Sequence, residues 1–391
     1  MKVAVLKLLD STLGFVLCWA VGWFRFLLRT EGPSPEAVVP TAINRILLIR
    51  PGGMGDMVLL IPVLKSLRRN FPHAVIHLVC EKRNRDILRL AGFSDGALLY
   101  DAHPFSLLRR LRQAPYDVAI DTEQFHYFSA LMALLSRAPV RIGFKINPGR
   151  NLLYTHLVNY DLGGYEADQF MNLTRPLGLL EPAEVEGCLT VDMAAVPLGL
   201  LRRIERLEST GGFVVVHAGS TSRYKHWAPE KVAELMTQLG QNETSLSFVL
   251  LGNSSERQLA DRVLAAAGMG GRVISLTGQL TVAQSAAVIR RAVLYVGGDS
   301  GLAHVAVALG TPTVIWFGPS DSQKWGARGP HRAVVRKPLV CSPCCIFGYH
   351  KLCRPVTCLR ELPVADVLQA CRTVRPFPGR TEVDRAVPSA V

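Results

Sequence analysis

The sequence lacks several features that would place it in a large class of proteins. None of its apolar stretches reaches about 18 residues without a charge, which excludes a protein with several transmembrane helices. Only 19% of its 391 residues are charged and 49% are hydrophobic, so the chain as a whole is not disordered. It has no G-x-x-x-x-G-K-[ST] sequence, no H-E-x-x-H sequence and no Asp-x-Asp pair, which argues against a P-loop NTPase and against common metal-binding motifs.

What the sequence does have is length, positive charge and cysteine. The length predicts two domains of ordinary size. The formal net charge of +13 indicates an anionic partner, namely nucleic acid, anionic lipid or a phosphorylated substrate. No basic cluster carries interleaved aromatic residues, which argues against nucleic acid. The nine cysteines form an odd total without a clear secretory signal, which favours a reducing compartment.

Residues 1–40 are predicted to form an amphipathic membrane-associating helix and a linker. Residues 11–24 carry no charge, and a stripe of small and basic residues recurs at steps of three or four: Lys7, Ser11, Gly14, Cys18, Gly22, Arg25 and Arg29. This pattern is typical of a helix in a membrane interface, with Trp19 and Trp23 at the headgroups. Two alternatives stay open, which are an inserted helix that dimerises through its small residues and a core helix packed on the first domain. The Pro-rich stretch 30–40 predicts the linker.

The rest of the chain predicts an α/β protein with two Rossmann-like domains that face each other across a cleft. The domain of residues 41–186 opens with the apolar strand 45–50, a Gly-rich turn and a helix over 58–69. The domain of residues 187–376 has predicted strands at 213–216, 247–251, 294–298 and 313–317. Residues 377–391 are predicted to be a flexible tail. Because ligands bind outside the carboxyl ends of parallel strands, the turns that follow these strands are the candidate sites.

Three of these turns carry chemistry-bearing residues. Asp56 ends a Gly-rich turn, where it either caps the next helix or takes a proton from an acceptor hydroxyl. The turn at 298–304 joins a strand to a helix, whose first N–H groups form an anion site. Asp299 in that turn is alternatively a plain N-cap. The loop at 217–222 is rich in hydroxyls and precedes Lys225, which suits a phosphate but also fits a solvated polar loop.

In combination these motifs resemble glycosyltransferase family 9, the ADP-heptose lipopolysaccharide heptosyltransferases. The resemblance runs from about Arg45 to Leu368. Its motifs are RILLIRPGGMGD from Arg45, RIGF from Arg141, KHWAP from Lys225, DSGLAH from Asp299, GPSD from Gly318 and CSPC from Cys341. The resemblance implies a GT-B type fold with the active site between the domains. It also implies inverting transfer that requires no metal or other cofactor.

The resemblance further implies a role for individual residues. Asp56 is the implied general base, and Gly53 and Gly55 lie on the acceptor side. The implied donor-binding residues are Ser220, Thr221, Lys225, Glu256, Leu280, Asp299, Ser300, Gly301, Leu302 and His304. Within this set, Glu256 would bind the ribose, Leu280 would line the base pocket, and Lys225 with the hydroxyls and the first N–H groups of the helix would meet the diphosphate. For His304 a purely structural role inside the helix stays open.

Four cysteines near the end of the second domain form a candidate zinc site. Cys341 and Cys344 have the spacing of a ligand pair, and Cys353 and Cys358 would complete a four-thiol structural site. The alternative is a group of packed free thiols or a redox pair.

The sequence therefore predicts a cytoplasmic enzyme that is peripheral on the inner face of the cytoplasmic membrane. It would transfer heptose from ADP-heptose to a lipid A–core acceptor, and its positive charge would address this anionic substrate and the anionic membrane surface. Two alternatives stay open: transfer of another nucleotide-activated sugar to a surface glycan, and a catalytically silent scaffold that binds nucleotide sugars.

Overall fold

A computed structural model describes residues 8–27, 42–102, 104–113, 115–346, 349–350, 353 and 356–375. The chain divides into two compact units. The first comprises Met1–Asp192 with Gln323–Trp325, and the second comprises Met193–Ser322 with Gly326–Val391. The predicted linker at 30–40 and the predicted tail at 377–391 lie outside the described residues.

The first unit contains a six-stranded parallel sheet in the order β3-β2-β1-β4-β5-β6. Its strands are β1 (Arg45–Ile49), β2 (Val75–Cys80), β3 (Ala97–Leu99), β4 (Val118–Asp121), β5 (Val140–Lys145) and β6 (His156–Asn159). Its helices are α1 (Phe15–Leu27), α2 (Met54–Asn70), α3 (Arg85–Leu90), α4 (Pro104–Gln113), α5 (Tyr127–Leu135), α6 (Pro148–Asn151) and α7 (Glu166–Asn172). The apolar run of β1 is almost fully buried because helices cover both faces of a parallel sheet.

The second unit repeats the same plan with a six-stranded parallel sheet in the order β12-β11-β10-β7-β8-β9. Its strands are β7 (Phe213–His217), β8 (Ser247–Leu250), β9 (Val273–Ser275), β10 (Leu294–Gly298), β11 (Thr313–Phe317) and β12 (Arg332–Arg336), followed by the hairpin β13 (Cys345–Ile346) and β14 (Tyr349–His350). Its helices are α8 (Leu198–Ser209), α9 (Pro229–Asn242), α10 (Arg257–Ala267), α11 (Val282–Arg291), α12 (Gly301–Ala308), α14 (Thr357–Arg360) and α15 (Val364–Val374). The short helix α13 (Ser322–Trp325) lies at the point where the chain returns briefly to the first unit. The two sheets confirm the predicted pair of Rossmann-like domains.

The N-terminal helix is present and packs on the first unit. A π-helical turn, Asp10–Gly14, leads into α1, and α1 packs on α5 and α6. The buried stripe consists of Asp10, Gly14, Cys18 and Gly22, whereas Ser11, which the sequence pattern placed in the stripe, is exposed. A methyl group on Gly14 would lie 3.0 Å from Tyr127 Cβ, so these small residues allow close contact with the unit.

Asp10 anchors this helix by a polar contact. Its carboxylate accepts hydrogen bonds from the backbone N–H of Tyr127 at 3.1 Å and from that of Phe128 at 2.7 Å. These two N–H groups belong to the first turn of α5 and have no partner within the helix. Asp10 therefore caps a helix that lies 117 residues further along the chain.

Candidate functional site

Each sheet reverses its strand order beside its first strand, and most of the predicted site residues lie near these reversals. In the first unit the reversal lies between β1 and β4, and in the second it lies between β7 and β10. Such switch points leave a crevice at the carboxyl ends of the strands, where ligands of open α/β sheets bind. Each crevice is built separately, by residues of its own unit.

The crevice of the first unit holds Asp56. This residue lies in the first turn of α2, which begins at Met54, so Asp56 is not the N-cap; that position belongs to Gly53. Gly53 has a φ of 59°, and a methyl group there would overlap the Asp56 carboxylate. The other glycine predicted on the acceptor side, Gly55, is half-buried in the same turn. The glycine-rich turn thus leaves room for the carboxylate at the start of the helix.

A buried arginine holds the Asp56 carboxylate. Arg50 Nη2 lies 3.1 Å from Asp56 Oδ1, and Arg50 Nε lies 3.7 Å from Glu123 Oε1. The guanidinium also donates to the carbonyl of Thr122 at 2.9 Å and stacks over Phe170 at 5.0 Å. The Arg50 side chain is 5% exposed, whereas that of Asp56 is 22% exposed. The crevice therefore presents the carboxylate and buries the cation.

The charges in this crevice shift one another's pKa values. Burial alone raises the pKa of Glu123, but Arg50 and other cationic neighbours lower it, and the result lies below its ordinary value. Burial acts to lower the pKa of Arg50, yet Glu123 and Asp56 raise it further than burial lowers it. Both groups are therefore charged at neutral pH and form a fixed ionic framework for Asp56.

A second buried carboxylate lies in the same unit. Glu166 accepts a hydrogen bond from the Tyr160 hydroxyl at 2.6 Å and contacts Lys324 Nζ at 2.7 Å. Burial raises the pKa of Glu166, and the opposing effect of Lys324 does not fully offset it. None of these three residues was among the site residues predicted from the sequence.

The crevice of the second unit contains a similar ion pair, between Lys225 and Asp299. Lys225 Nζ lies 2.6 Å from Asp299 Oδ2. The lysine side chain is 22% exposed and the aspartate side chain 9%. Burial alone raises the pKa of Asp299, but the charges of Lys225 and His304 lower it, so it lies below its ordinary value. Here the crevice presents the cation and buries the carboxylate.

Asp299 is not the N-cap of the following helix, contrary to one prediction. Ser300 caps α12, because its hydroxyl accepts a hydrogen bond from the backbone N–H of Ala303 at 3.4 Å. The helix therefore begins at Gly301, and its dipole points its positive end at the crevice. Asp299 is left to hold Lys225.

His217 joins the predicted phosphate side of this crevice to the predicted ribose side. It ends β7, and its Nδ1 lies 3.0 Å from Ser300 Oγ while its Nε2 lies 3.3 Å from Glu256 Oε2. Glu256 also accepts from the backbone N–H of Asn253 at 2.8 Å. Burial acts to raise the pKa of Glu256, but the hydrogen bond and charge of His217 lower it below its ordinary value.

Two glycines make room for Glu256. A methyl group on Gly219 would overlap its carboxylate from one side, and a methyl group on Gly252 would collide with it from the other. Glu256 is thus held just after the carboxyl end of β8, and its contact with His217 was not predicted from the sequence.

The structure places the remaining donor-side predictions in the same unit. Ser220 is buried, and its hydroxyl donates to the carbonyl of Asp299 at 3.3 Å. Leu302 and His304 are buried in α12, whereas Thr221 is exposed. Leu280 is half-buried and follows Gly278, whose N–H bonds to the carbonyl of Gly252 at 2.8 Å.

The four cysteines predicted to share a zinc ion line one small pocket: Cys341, Cys344, Cys353 and Cys358. In the described part of the chain, however, no three His, Cys, Asp or Glu side chains are arranged to hold a metal ion. Burial raises the pKa of the Cys358 thiol to about 11, which keeps it protonated. The structure thus gives no support to the predicted zinc site.

Sequence reasoning missed Arg50, Glu123 and His217 as site residues. Each stands at or just after the carboxyl end of a central strand, beside the strand reversal. The strand order that brings β1 beside β4, and β7 beside β10, was the signal needed to find them.

Comparisons with known proteins agree with this arrangement. The model of "Glycosyltransferase family 9 (heptosyltransferase)" matches residues 104–349, which is more than half of the chain. The chain belongs to glycosyltransferase family 9. It is therefore a glycosyltransferase, and the family resemblance drawn from its motifs is confirmed.

Individual relatives of this family 9 enzyme are distant. It is 26% identical over 291 residues to "Lipopolysaccharide heptosyltransferase 3" of Escherichia coli, covering 69% of this chain and 82% of the relative. Its fold is similar to that of E. coli ADP-heptose lps heptosyltransferase II, with a TM-score of 0.68, 22% identity, and coverage of 84% of this chain and 98% of that one. It is also similar to E. coli heptosyltransferase WaaC with ADP-2-deoxy-2-fluoro heptose, with a TM-score of 0.63, 20% identity, and coverage of 83% and 98%.

Proposed function

We propose that this enzyme transfers heptose from ADP-heptose to a lipid-linked lipopolysaccharide core acceptor. The names of the relatives support the sugar and the acceptor. One observation in this chain carries the proposal. The two crevices contain a carboxylate–cation pair each, and the exposed partner is Asp56 in one and Lys225 in the other. A base and an anion site are what a sugar transfer from a nucleoside diphosphate needs.

The acceptor side of the reaction uses Asp56. Its carboxylate takes the proton of an acceptor hydroxyl as that oxygen forms a bond to the anomeric carbon of heptose. Arg50 holds the carboxylate by one oxygen, at 3.1 Å from Oδ1, so the other oxygen remains for the proton. In this proposal the configuration inverts, because the acceptor oxygen attacks opposite to the leaving group in one displacement.

The donor side of the reaction uses Lys225, Ser300 and the N-terminus of α12. As the bond between the anomeric carbon and the diphosphate oxygen breaks, its electron pair goes to the leaving ADP. Lys225 and the first N–H groups of the helix stabilise that developing charge. Glu256 accepts hydrogen bonds from the ribose, and His217 keeps its carboxylate in place. Because the diphosphate meets protein cations and dipoles, we propose that no metal takes part in the step.

We place the enzyme on the inner face of the cytoplasmic membrane, where a lipid-linked acceptor is built. Two properties support this location: the net charge of +13 and the exposed apolar side chains of α1. Among the helices in the described ranges, none combines the length and apolar character that a bilayer-spanning helix needs.

The test is to incubate purified full-length enzyme with ADP-heptose, or with UDP- and GDP-linked hexoses, and truncated lipopolysaccharide acceptors. We expect heptosyl transfer with ADP-heptose, undiminished in EDTA, and a product whose anomeric configuration by NMR is the opposite of the donor's. Transfer from another donor only would favour the alternative sugar. ADP binding without turnover of any donor would favour the silent scaffold.

A further inference from the structure

The outer face of α1 carries most of the exposed large apolar side chains of the described residues. Ten of the seventeen exposed large apolar side chains of these residues lie on this helix and the turn before it: Leu8, Leu9, Leu13, Phe15, Val16, Leu17, Trp19, Trp23, Phe24 and Leu27. Val16 and Trp23 are each 58% exposed near the middle of the face. Isolated exposed apolar residues are ordinary, but a contiguous set on one helix marks an interaction surface.

The few polar side chains beside this face do not interrupt it. The hydroxyls of Ser11 and Thr12 donate to the carbonyl of Leu8, at 3.1 and 2.7 Å. Asp10 is turned inward, where it caps α5. The face therefore presents no charge between residues 11 and 24.

Helix α1 packs on the first unit through its buried side, and this packing leaves the apolar side exposed. Cys18 is fully buried, and its thiol lies 3.4 Å from the carbonyl of Tyr127. A methyl group on Gly22 would lie 3.0 Å from Leu152, and one on Gly149 of α6 would collide with the Trp19 indole at 2.7 Å. The small residues that suggest a dimer contact in the sequence are thus occupied by the enzyme's own first unit, and only the apolar face remains for a partner.

One nearby helix is basic. Helix α4, which packs on α5, carries the exposed side chains of Arg109, Arg110 and Arg112 and no acidic residue. Leu108 beside them is 40% exposed. The sequence from 124 to 160, which includes α5 and α6, contains no Asp or Glu. An apolar face with tryptophans and adjacent basic side chains matches the boundary between acyl chains and anionic headgroups.

We infer that α1 is a lipid-facing plate, built into the first unit, that lies flat on an anionic bilayer with Val16 and Trp23 at its centre while the arginines of α4 contact headgroups. The biological role of this contact rests on the proposed function, because the enzyme would then bind its lipid-linked acceptor at the bilayer surface. The binding itself depends only on the plate.

The test uses flotation of the full-length enzyme with vesicles of phosphatidylcholine alone or with one quarter phosphatidylglycerol, without any substrate. We expect the Val16→Glu/Trp23→Glu double variant to bind the anionic vesicles more than about tenfold more weakly than wild type. The matched control is Leu180→Glu. Leu180 is an exposed leucine of the same unit, 79% exposed and away from α1, so this variant should bind vesicles as the wild type does. Arg109→Ala and Arg112→Ala should each lower binding about fivefold on anionic vesicles and change little on neutral ones.

Other outcomes would overturn the inference. Equal flotation of the wild type and the double variant would exclude α1 as the plate. A wild type that forms a dimer in vesicle-free buffer, and becomes a monomer with Val16→Glu/Trp23→Glu, would make a second copy the occupant. An unchanged thermal unfolding midpoint and unchanged turnover of a delipidated acceptor confirm that the variant is folded. Absence of turnover by the wild type, with vesicle binding intact, would instead count against the proposed function alone.

Discussion

The two crevices use the same pair of chemical groups in opposite arrangements. In the first unit the cation, Arg50, is 5% exposed, and the carboxylate of Asp56 is 22% exposed. In the second unit the carboxylate of Asp299 is 9% exposed, and Lys225 is 22% exposed. Both pairs lie where the strand order reverses, at the start of a helix.

This contrast shows how one fold yields two kinds of site. A buried guanidinium with several acceptors is suited to hold a carboxylate, since its planar fork has five donors and stays charged. An ammonium is a compact point charge on a flexible stem, so a single buried carboxylate can hold it while it remains available to a phosphate. In the proposed function, the exposed partner decides whether the crevice supplies a base or attracts an anion.

Removing the exposed carboxylate should give the largest effect. We expect Asp56→Asn to lower kcat by about 10²- to 10⁴-fold, because no group then takes the acceptor proton. Affinity for ADP, measured by calorimetry, should not change. Glu181→Gln, which alters another ion-paired carboxylate of the same unit, is the control and should retain full turnover. Undiminished turnover by Asp56→Asn would contradict the assignment of the base.

Removing the exposed cation should weaken the donor site. We expect Lys225→Met to reduce ADP affinity about 10- to 150-fold, the loss typical of one charge-assisted hydrogen bond. Lys225→Arg should recover part of this affinity, and Lys65→Met, which removes an exposed lysine of the first unit, should lose none. If Lys225→Met binds ADP as tightly as wild type, the lysine only stabilises Asp299.

The space around Asp56 can be tested without changing any charge. Gly53 and Gly92 have φ values of 59° and 68°, but only at Gly53 would a methyl group meet the carboxylate, since Gly92 faces open space. We expect both Gly→Ala variants to lose about 1 kcal/mol of stability from backbone strain. Only Gly53→Ala should also lose kcat. Equal turnover of the two variants would show that the carboxylate tolerates displacement.

The buried carboxylate of the second unit should make stability depend on pH. Its pKa in the folded enzyme lies below the ordinary value of 3.8, so ionised Asp299 stabilises the fold above that pH. This stabilisation is lost as the pH falls from 3.8 through the lower folded value. We therefore expect wild type to have a higher thermal unfolding midpoint than Asp299→Asn at neutral pH, with a difference that shrinks on acidification. A difference independent of pH would remove the ion pair as its cause.

The sequence predicted those elements that depend on local pattern. Strands β10 and β11 lie where the apolar runs predicted them, and β1 differs from its prediction by one residue. The helix after β1 begins at Met54, before the predicted start, because Gly53 provides the left-handed turn and no side-chain cap is needed. The early start was not predicted because the sequence pattern does not show that Gly53 can take the N-cap position without a side-chain hydrogen bond.

The parts of the site that local pattern did not reveal depend on contacts between distant residues. Arg50 and Glu123 are 73 positions apart by number, and their contact exists because β1 pairs with β4. His217 meets Ser300 because β7 pairs with β10. The stripe that the sequence predicts for α1 omits Asp10. Its inward orientation depends on the contact with Tyr127, which is distant in the sequence.

The contact between Asp10 and α5 also means that α1 is synthesised well before the helix on which it packs. Asp10 leaves the ribosome 117 residues before Tyr127, which corresponds to roughly 6 to 23 s at ordinary translation rates of about 5 to 20 residues per second. Throughout that interval α1 has no unit to pack on, and both its buried stripe and its apolar face are open to solvent, chaperones or lipid. The nascent chain therefore exposes this apolar helix early, and α1 can be covered by its own unit only after α5 and α6 have been synthesised.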